Sequence, residues 1–203
     1  GDLLWMKGSF GDNQEVQGTL TLVGNSSAKT TRWQGLFLKV NGGNPNSRNA
    51  SAIQVRFAAT KGVEVRTKVA GGSWVKQATF LADFSNGDTL AARSQNDGMV
   101  AIYKNGTLIG SINVSTGPNP WPSTLAQGGG QVGVYYNFAG GRMDNFVGNN
   151  VTPTLLVTTA ATEALGEQAE SEPETVLAID VVEDEEESPE AGSFSTFLPL
   201  VTK

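Results

Sequence analysis

Hydrophobic and polar residues alternate with a period of two along most of this chain. Runs of that kind occupy 3–10, 15–23, 35–41, 50–58, 62–70, 73–80, 88–95, 99–104, 107–114, 131–137 and 142–147. A period of two sends successive side chains to opposite faces of an extended segment, so each run predicts a β-strand with one face buried. The inward set would be Leu20 and Leu22, Leu36, Leu38 and Val40, Ile53, Val55 and Phe57, Val63 and Val65, Leu90 and Ala92, Val100 and Ile102, and Val132 and Val134. Turn residues separate the runs, among them Asn41-Gly42-Gly43-Asn44-Pro45-Asn46, Gly71-Gly72, Asn86-Gly87, Asp97-Gly98 and Gly140-Gly141. The clearest hairpin joins 99–104 to 107–114 through Asn105-Gly106. Asn-Gly supplies the two positive φ angles of a type I′ turn, whose twist matches that of the flanking strands. Many short strands at close spacing, without a helical period, predict an all-β protein in which two antiparallel sheets enclose the core.

The pattern stops near residue 149. Residues 150–192 are rich in Thr, Ala and Glu and end in Glu183-Asp184-Glu185-Glu186-Glu187-Ser188-Pro189-Glu190. Low hydrophobicity with charge of one sign cannot offset the entropy of folding, so this stretch reads as a disordered acidic linker. Residues 193–203 turn hydrophobic again, with Phe194, Phe197 and Leu198-Pro199-Leu200-Val201 before the final Lys203.

The order of the strands carries a resemblance. Gly11-Asp12-Asn13-Gln14-Glu15-Val16, Gly35–Val40, Ala52–Phe57, Gly87–Arg93, the Asn105-Gly106 hairpin, Gly130–Tyr136 and Arg142–Phe146 follow one another as in a jelly roll of the concanavalin A-like (laminin-G-like) type. The resemblance covers 1–149 and is to the branch carried by large secreted bacterial proteins. It implies a two-sheet antiparallel jelly-roll domain with sugar-binding or adhesive work at the cell surface or outside the cell. Family members begin with a further strand beside the last one, so the domain is expected to lack its first strand or strands and to be the C-terminal part of a longer protein. The Leu198–Val201 segment resembles the short C-terminal tails of secreted bacterial proteins, which implies a sorting or surface-retention role.

Composition removes several kinds of chemistry. With no Cys and no His, the chain has no thiol nucleophile, no Ser/His/Asp or Cys/His dyad, no disulfide and none of the usual zinc ligands. No apolar run reaches the length of a membrane span. Charge is segregated. Residues 1–150 hold 13 Lys/Arg against 8 Asp/Glu, net +5, whereas 151–203 hold one Lys against 12 acids, net −11. Spread over many strands, +5 lacks the clustered basic face that nucleic acid requires, so no nucleic-acid partner is expected.

Glycosidases of the resembling fold use carboxylates alternating along one strand, so that an acid and a nucleophile share a cleft. The only glutamates before the linker, Glu15 and Glu64, fall on different strands, and Asp83, Asp88 and Asp97 fall at turns, where they serve as turn formers. The domain is therefore expected not to be an enzyme. Rim calcium is the one metal the resemblance brings in, at Asp83–Asp88 or Asp144. The calcium-loop order of acids is missing, so neither a metal ligand nor another cofactor is assigned.

Sugar binding needs an aromatic platform and planar polar groups. Parity turns Gln54, Arg56, Glu64, Arg66, Arg93, Tyr103 and Tyr135 outward, while Trp33, Trp74 and Trp121 lie in or beside loops, Trp121 stiffened at a rim by Pro120 and Pro122. Each tryptophan has the plainer reading of packing over the core edge. The ligand-binding candidates are Arg56, Arg93, Tyr103, Tyr135 and Trp74. The expected function is a non-catalytic module binding a glycan or another surface polymer, attached to upstream domains. The alternative is a structural or adhesive spacer without a ligand site, with a glycoside hydrolase behind both.

Overall fold

In the computed structural model, the residues described are 2–4 (backbone only), 8–21, 32–137 and 141–152. The strands are β1 (Asp2–Leu4), β2 (Gln14–Leu20), β3 (Gln34–Asn41), β4 (Ser51–Ala58), β5 (Gly62–Lys68), β6 (Val75–Phe80), β7 (Thr89–Ser94), β8 (Met99–Lys104), β9 (Thr107–Asn113), β10 (Gln131–Tyr136) and β11 (Met143–Asn150). A single helical turn, α1 (Ser123–Ala126), follows Pro122. One antiparallel sheet has the order β1-β10-β3-β4-β5-β6 and the other β11-β2-β7-β8-β9. The chain changes sheet after β1, β2, β6, β9 and β10, which makes a jelly-roll sandwich. Among the described residues no helix is long and apolar enough to cross a membrane.

The alternation places the core as expected: Leu20, Leu36, Leu38, Ile53, Val55, Phe57, Val63, Val65, Leu90, Ala92, Val100, Ile102 and Val132 are all buried between the sheets, with Val134 packed against them. Leu22 lies outside the described residues. The Asn-Gly hairpin is also as expected, with φ 49° at Asn105 and 79° at Gly106. Of the expected strand 3–10, the described residues show β1 and one isolated bridge from Phe10 to Gly130; residues 5–7 lie outside the described residues. Pairing at the other end continues through Asn150, and the Val151 N–H donates to Asn13 O at 3.0 Å. The expected linker and tail beyond residue 152 lie outside the described residues.

Val40 departs from the expected parity for a local reason. Lys39 adopts φ 49°, and the β3–β4 register slips between Leu38 and Asn41. A bulge resets the phase of everything after it. Val40 therefore joins Phe37 and Ala52 in a second apolar cluster, against which Trp74 and Tyr135 pack.

Lys39 itself is fully buried. Its Nζ donates to Asp12 O at 2.6 Å, to Gly128 O at 3.1 Å and to Ala126 O, while its backbone N–H donates to Gln14 Oε1 at 2.9 Å. Gln14, also buried, donates in turn to the carbonyls of Phe10, Gly11 and Gly130. Two polar side chains from different sheets thus bind loop carbonyls at one end of the sandwich, those of Phe10 and Gly130 in addition to the backbone bonds these two residues exchange. Burial lowers the Lys39 pKa to about 8 from 10.5, against the opposing pull of Asp12 and Asp97.

Candidate functional site

The outer face of the six-stranded sheet is organised in rows by strand register. One row runs Tyr135, Gly35, Arg56, Glu64, Thr79, and the next runs Gly133, Phe37, Gln54, Arg66, Lys76. Phe37 is the hub of the aromatic residues: Trp74 stacks on it at 6.0 Å and 28°, and Tyr135 meets it edge-on at 5.7 Å and 74°. Phe37 is buried, whereas Trp74 and Tyr135 are half-buried and present ring surface to solvent. Gly35 and Gly133 place no side chain on this face, and both are buried.

Polar groups surround the rings. Arg56 lies 3.9 Å above the Trp33 ring and donates to Glu64 Oε2 through Nε at 3.1 Å and Nη2 at 2.7 Å. Arg66 sits 5.8 Å from the Trp74 ring and reaches Trp74 O only at 3.4 Å. Burial lowers the Arg66 pKa, and the neighbouring Arg56 charge adds to the shift. Lys68 is buried and turned to the chain itself, donating to Pro45 O at 3.1 Å and Ser47 O at 2.6 Å, which fixes the 41–50 loop beside the rings. Gln54, in the middle of the face, is 2% exposed, and its Oε1 has no hydrogen-bond partner. A buried acceptor left unpaired costs about 1–3 kcal/mol.

The five candidate residues do not form one group. Arg56, Tyr135 and Trp74 share the six-stranded face. Arg93 and Tyr103 lie on the outer face of the other sheet, where Arg93 sits 5.7 Å from the Tyr103 ring and donates to Glu15 Oε2 at 3.0 and 2.7 Å. Parity identifies outward residues but not which sheet they belong to. Trp121 requires correction: it is 1% exposed, within the core, and its Nε1 donates to Lys68 O at 3.3 Å rather than standing at a rim. Trp33 is buried beneath Arg56. Phe37 was missed because it sits in the unbroken apolar run Leu36-Phe37-Leu38, which hides its parity.

The acids have local work. Asp88 accepts from Ser85 N at 2.7 Å, Asn105 Nδ2 at 2.7 Å and Lys104 Nζ at 3.1 Å, and these bonds, the Ser85 one foremost, hold its carboxyl below the usual range. Asp97 accepts from Met99 N at 2.8 Å within its turn. Among the described residues no three His, Cys, Asp or Glu come together as metal ligands. Glu15 and Glu64 lie on opposite outer faces, each bonded to an arginine.

The strand order defines the fold, a two-sheet antiparallel jelly-roll sandwich. No family model and no curated protein matches the sequence. Among solved structures, the chain is similar to the carbohydrate binding module CBM66 from Bacillus subtilis, at 12% identity and a TM-score of 0.51, over 71% of this chain and 78% of that one. Sheep galectin-11 aligns at 12% identity and a TM-score of 0.48, over 70% and 93% of the two chains. A glycoside hydrolase family 16 endo-glucanase from Bacteroides ovatus aligns at 11% and 0.41, over 64% and 57%. At these identities the likeness is one of fold.

Proposed function

We propose that residues 1–152 form a non-catalytic carbohydrate-binding module of a larger secreted or cell-surface protein, with its ligand on the outer face of the six-stranded sheet. The observation that carries this reading is the set of half-exposed Trp74 and Tyr135 rings anchored on buried Phe37, beside Arg56, Glu64, Arg66 and the unpaired Gln54 carbonyl. A pyranose offers an apolar face to an aromatic ring and hydroxyls to planar polar groups, and both partners lie side by side here. The fold shared with a carbohydrate-binding module supports the same reading. Arg93 and Tyr103 drop out of the proposed site because they occupy the opposite face.

Trp74→Ala and Tyr135→Ala are each expected to weaken binding to a retained polysaccharide about tenfold, from the loss of about 1 kcal/mol or more of ring contact. Affinity electrophoresis across a polysaccharide panel measures this, with Tyr103→Ala expected to change nothing. Wild-type protein retarded by no polysaccharide at all would favour the spacer function instead.

Hydrolysis has no support in the carboxylates. An acid and its partner must stand within about 10 Å across one cleft, and Glu15 and Glu64 face opposite sides of the sandwich. Purified protein is expected to release no reducing ends from β-glucans; release that disappears in Glu64→Gln would overturn the non-catalytic reading.

A further inference from the structure

The row Phe37, Gln54, Arg66, Lys76 crosses four adjacent strands and changes character along its length. It begins under the Trp74 and Tyr135 rings, passes a buried acceptor without a partner, and ends in two cations. Three strand spacings make this strip about 14 Å long, room for two or three sugar units. Its charges are unbalanced. Among the described side chains, this face has Arg56, Arg66, Lys68 and Lys76 against the single carboxylate of Glu64. Glu64 is taken by Arg56, and Lys68 is turned to loop carbonyls.

Arg66 and Lys76 stand directly opposite each other in the β5–β6 register. Like charges in that relation do not help a sheet, and the charge that repels Arg66 is that of Arg56, countered in part by Glu64. An anion bound by both cations would accept charge-assisted hydrogen bonds from each.

We propose that this strip selects an acidic polysaccharide, its carboxylate or sulfate group held by Arg66 and Lys76 and its ring on Trp74. The inference rests on the carbohydrate-binding reading above and adds the ligand's charge class. The strip discriminates by charge: a neutral glycan fills the ring position and leaves the two cations without an anionic partner.

The test uses the full 203-residue chain in affinity electrophoresis and calorimetry with polygalacturonate, dextran sulfate and uncharged galactan, plus a single-stranded oligothymidine. Wild type is expected to bind one of the acidic polysaccharides at least tenfold more tightly than galactan; the preferred one distinguishes carboxylate from sulfate. Arg66→Gln is expected to lose that preference, Arg66→Lys to retain part of it, and Lys104→Gln, on the other sheet, to stay within twofold of wild type. Thermal melts of each variant check folding, and wild-type affinity for the acidic polymer should fall with rising salt whether or not Arg66→Gln folds.

Galactan bound as tightly as the acidic polymers, with Arg66→Gln unchanged, overturns the charge selectivity and leaves carbohydrate binding standing. Lys104→Gln weakening binding as much as Arg66→Gln reduces the effect to diffuse attraction and also overturns it. Tighter binding of the oligothymidine than of either acidic polysaccharide overturns it in favour of nucleic acid. No binding to any of the four removes both readings.

Discussion

Lys39→Met is expected to lower the melting temperature of the chain by about 10 °C, equivalent to about 3 kcal/mol. Methionine matches the length and fills the space, but it donates nothing to Asp12 O, Ala126 O and Gly128 O. Each carbonyl left unpaired and out of water costs about 1–3 kcal/mol, offset in part because no charge is now buried. Alkalinity separates the two terms. The Lys39 pKa is about 8 in the folded chain and 10.5 when solvated. Between those values the unfolded chain binds more protons, so the penalty for burying the charge is full below about pH 8 and relieved as pH rises to 10.5. The neutral amine still has two N–H groups for the three carbonyls. The stability gap between wild type and Lys39→Met, measured by urea unfolding, should therefore widen from pH 8 to pH 10. A flat gap would show that the carbonyl bonds cancel the cost of burying the charge, and a narrowing one that they outweigh it.

Trp121→Ala is expected to cost about 3–5 kcal/mol, the range for a large aromatic removed from a packed core. The indole is the largest fully buried side chain, packed in the main cluster with Ala126 of α1. Its backbone N–H donates to Val114 O at 2.7 Å and its ring N–H to Lys68 O at 3.3 Å. Trp121→Phe keeps most of the volume and removes only the ring donor, so a loss of about 1 kcal/mol is expected. Urea titration of both variants checks the order; equal losses would mean that the hydrogen bond to Lys68, rather than packing, dominates.

Most of the fold is legible from alternation and turn chemistry, because a strand with one buried face must write its period into the sequence. The exceptions are places where the period is interrupted or overridden. The bulge at Lys39 reverses the phase of Val40, and no turn residue at that point announces it. Trp121 lies between two prolines, which mark a loop, and only the three-dimensional path shows that this loop dips into the core. Half of the candidate site was visible. Arg56, Arg66, Gln54 and Tyr135 are outward by parity, and Trp74 by position, but parity is the same on both sheets. Grouping them apart from Arg93 and Tyr103 needs the strand order, which depends on contacts distant in the chain. Lys68 looks like one more surface cation in sequence; its burial depends on loop carbonyls more than twenty positions away.

The attachment of that loop has an evolutionary consequence. Lys68 holds the 41–50 segment solely through the main-chain oxygens of Pro45 and Ser47, groups present in every amino acid. Exposed side chains such as those of Asn46, Arg48 and Asn49 can thus be exchanged without loosening the anchor, provided the backbone path, its glycines and the bond from Asn46 N–H to Asn44 Oδ1 persist. The rim beside the aromatic rings is a variable cassette on a constant fastening, and randomising those three positions while Lys68 is kept offers a direct route to new specificities on the same sheet.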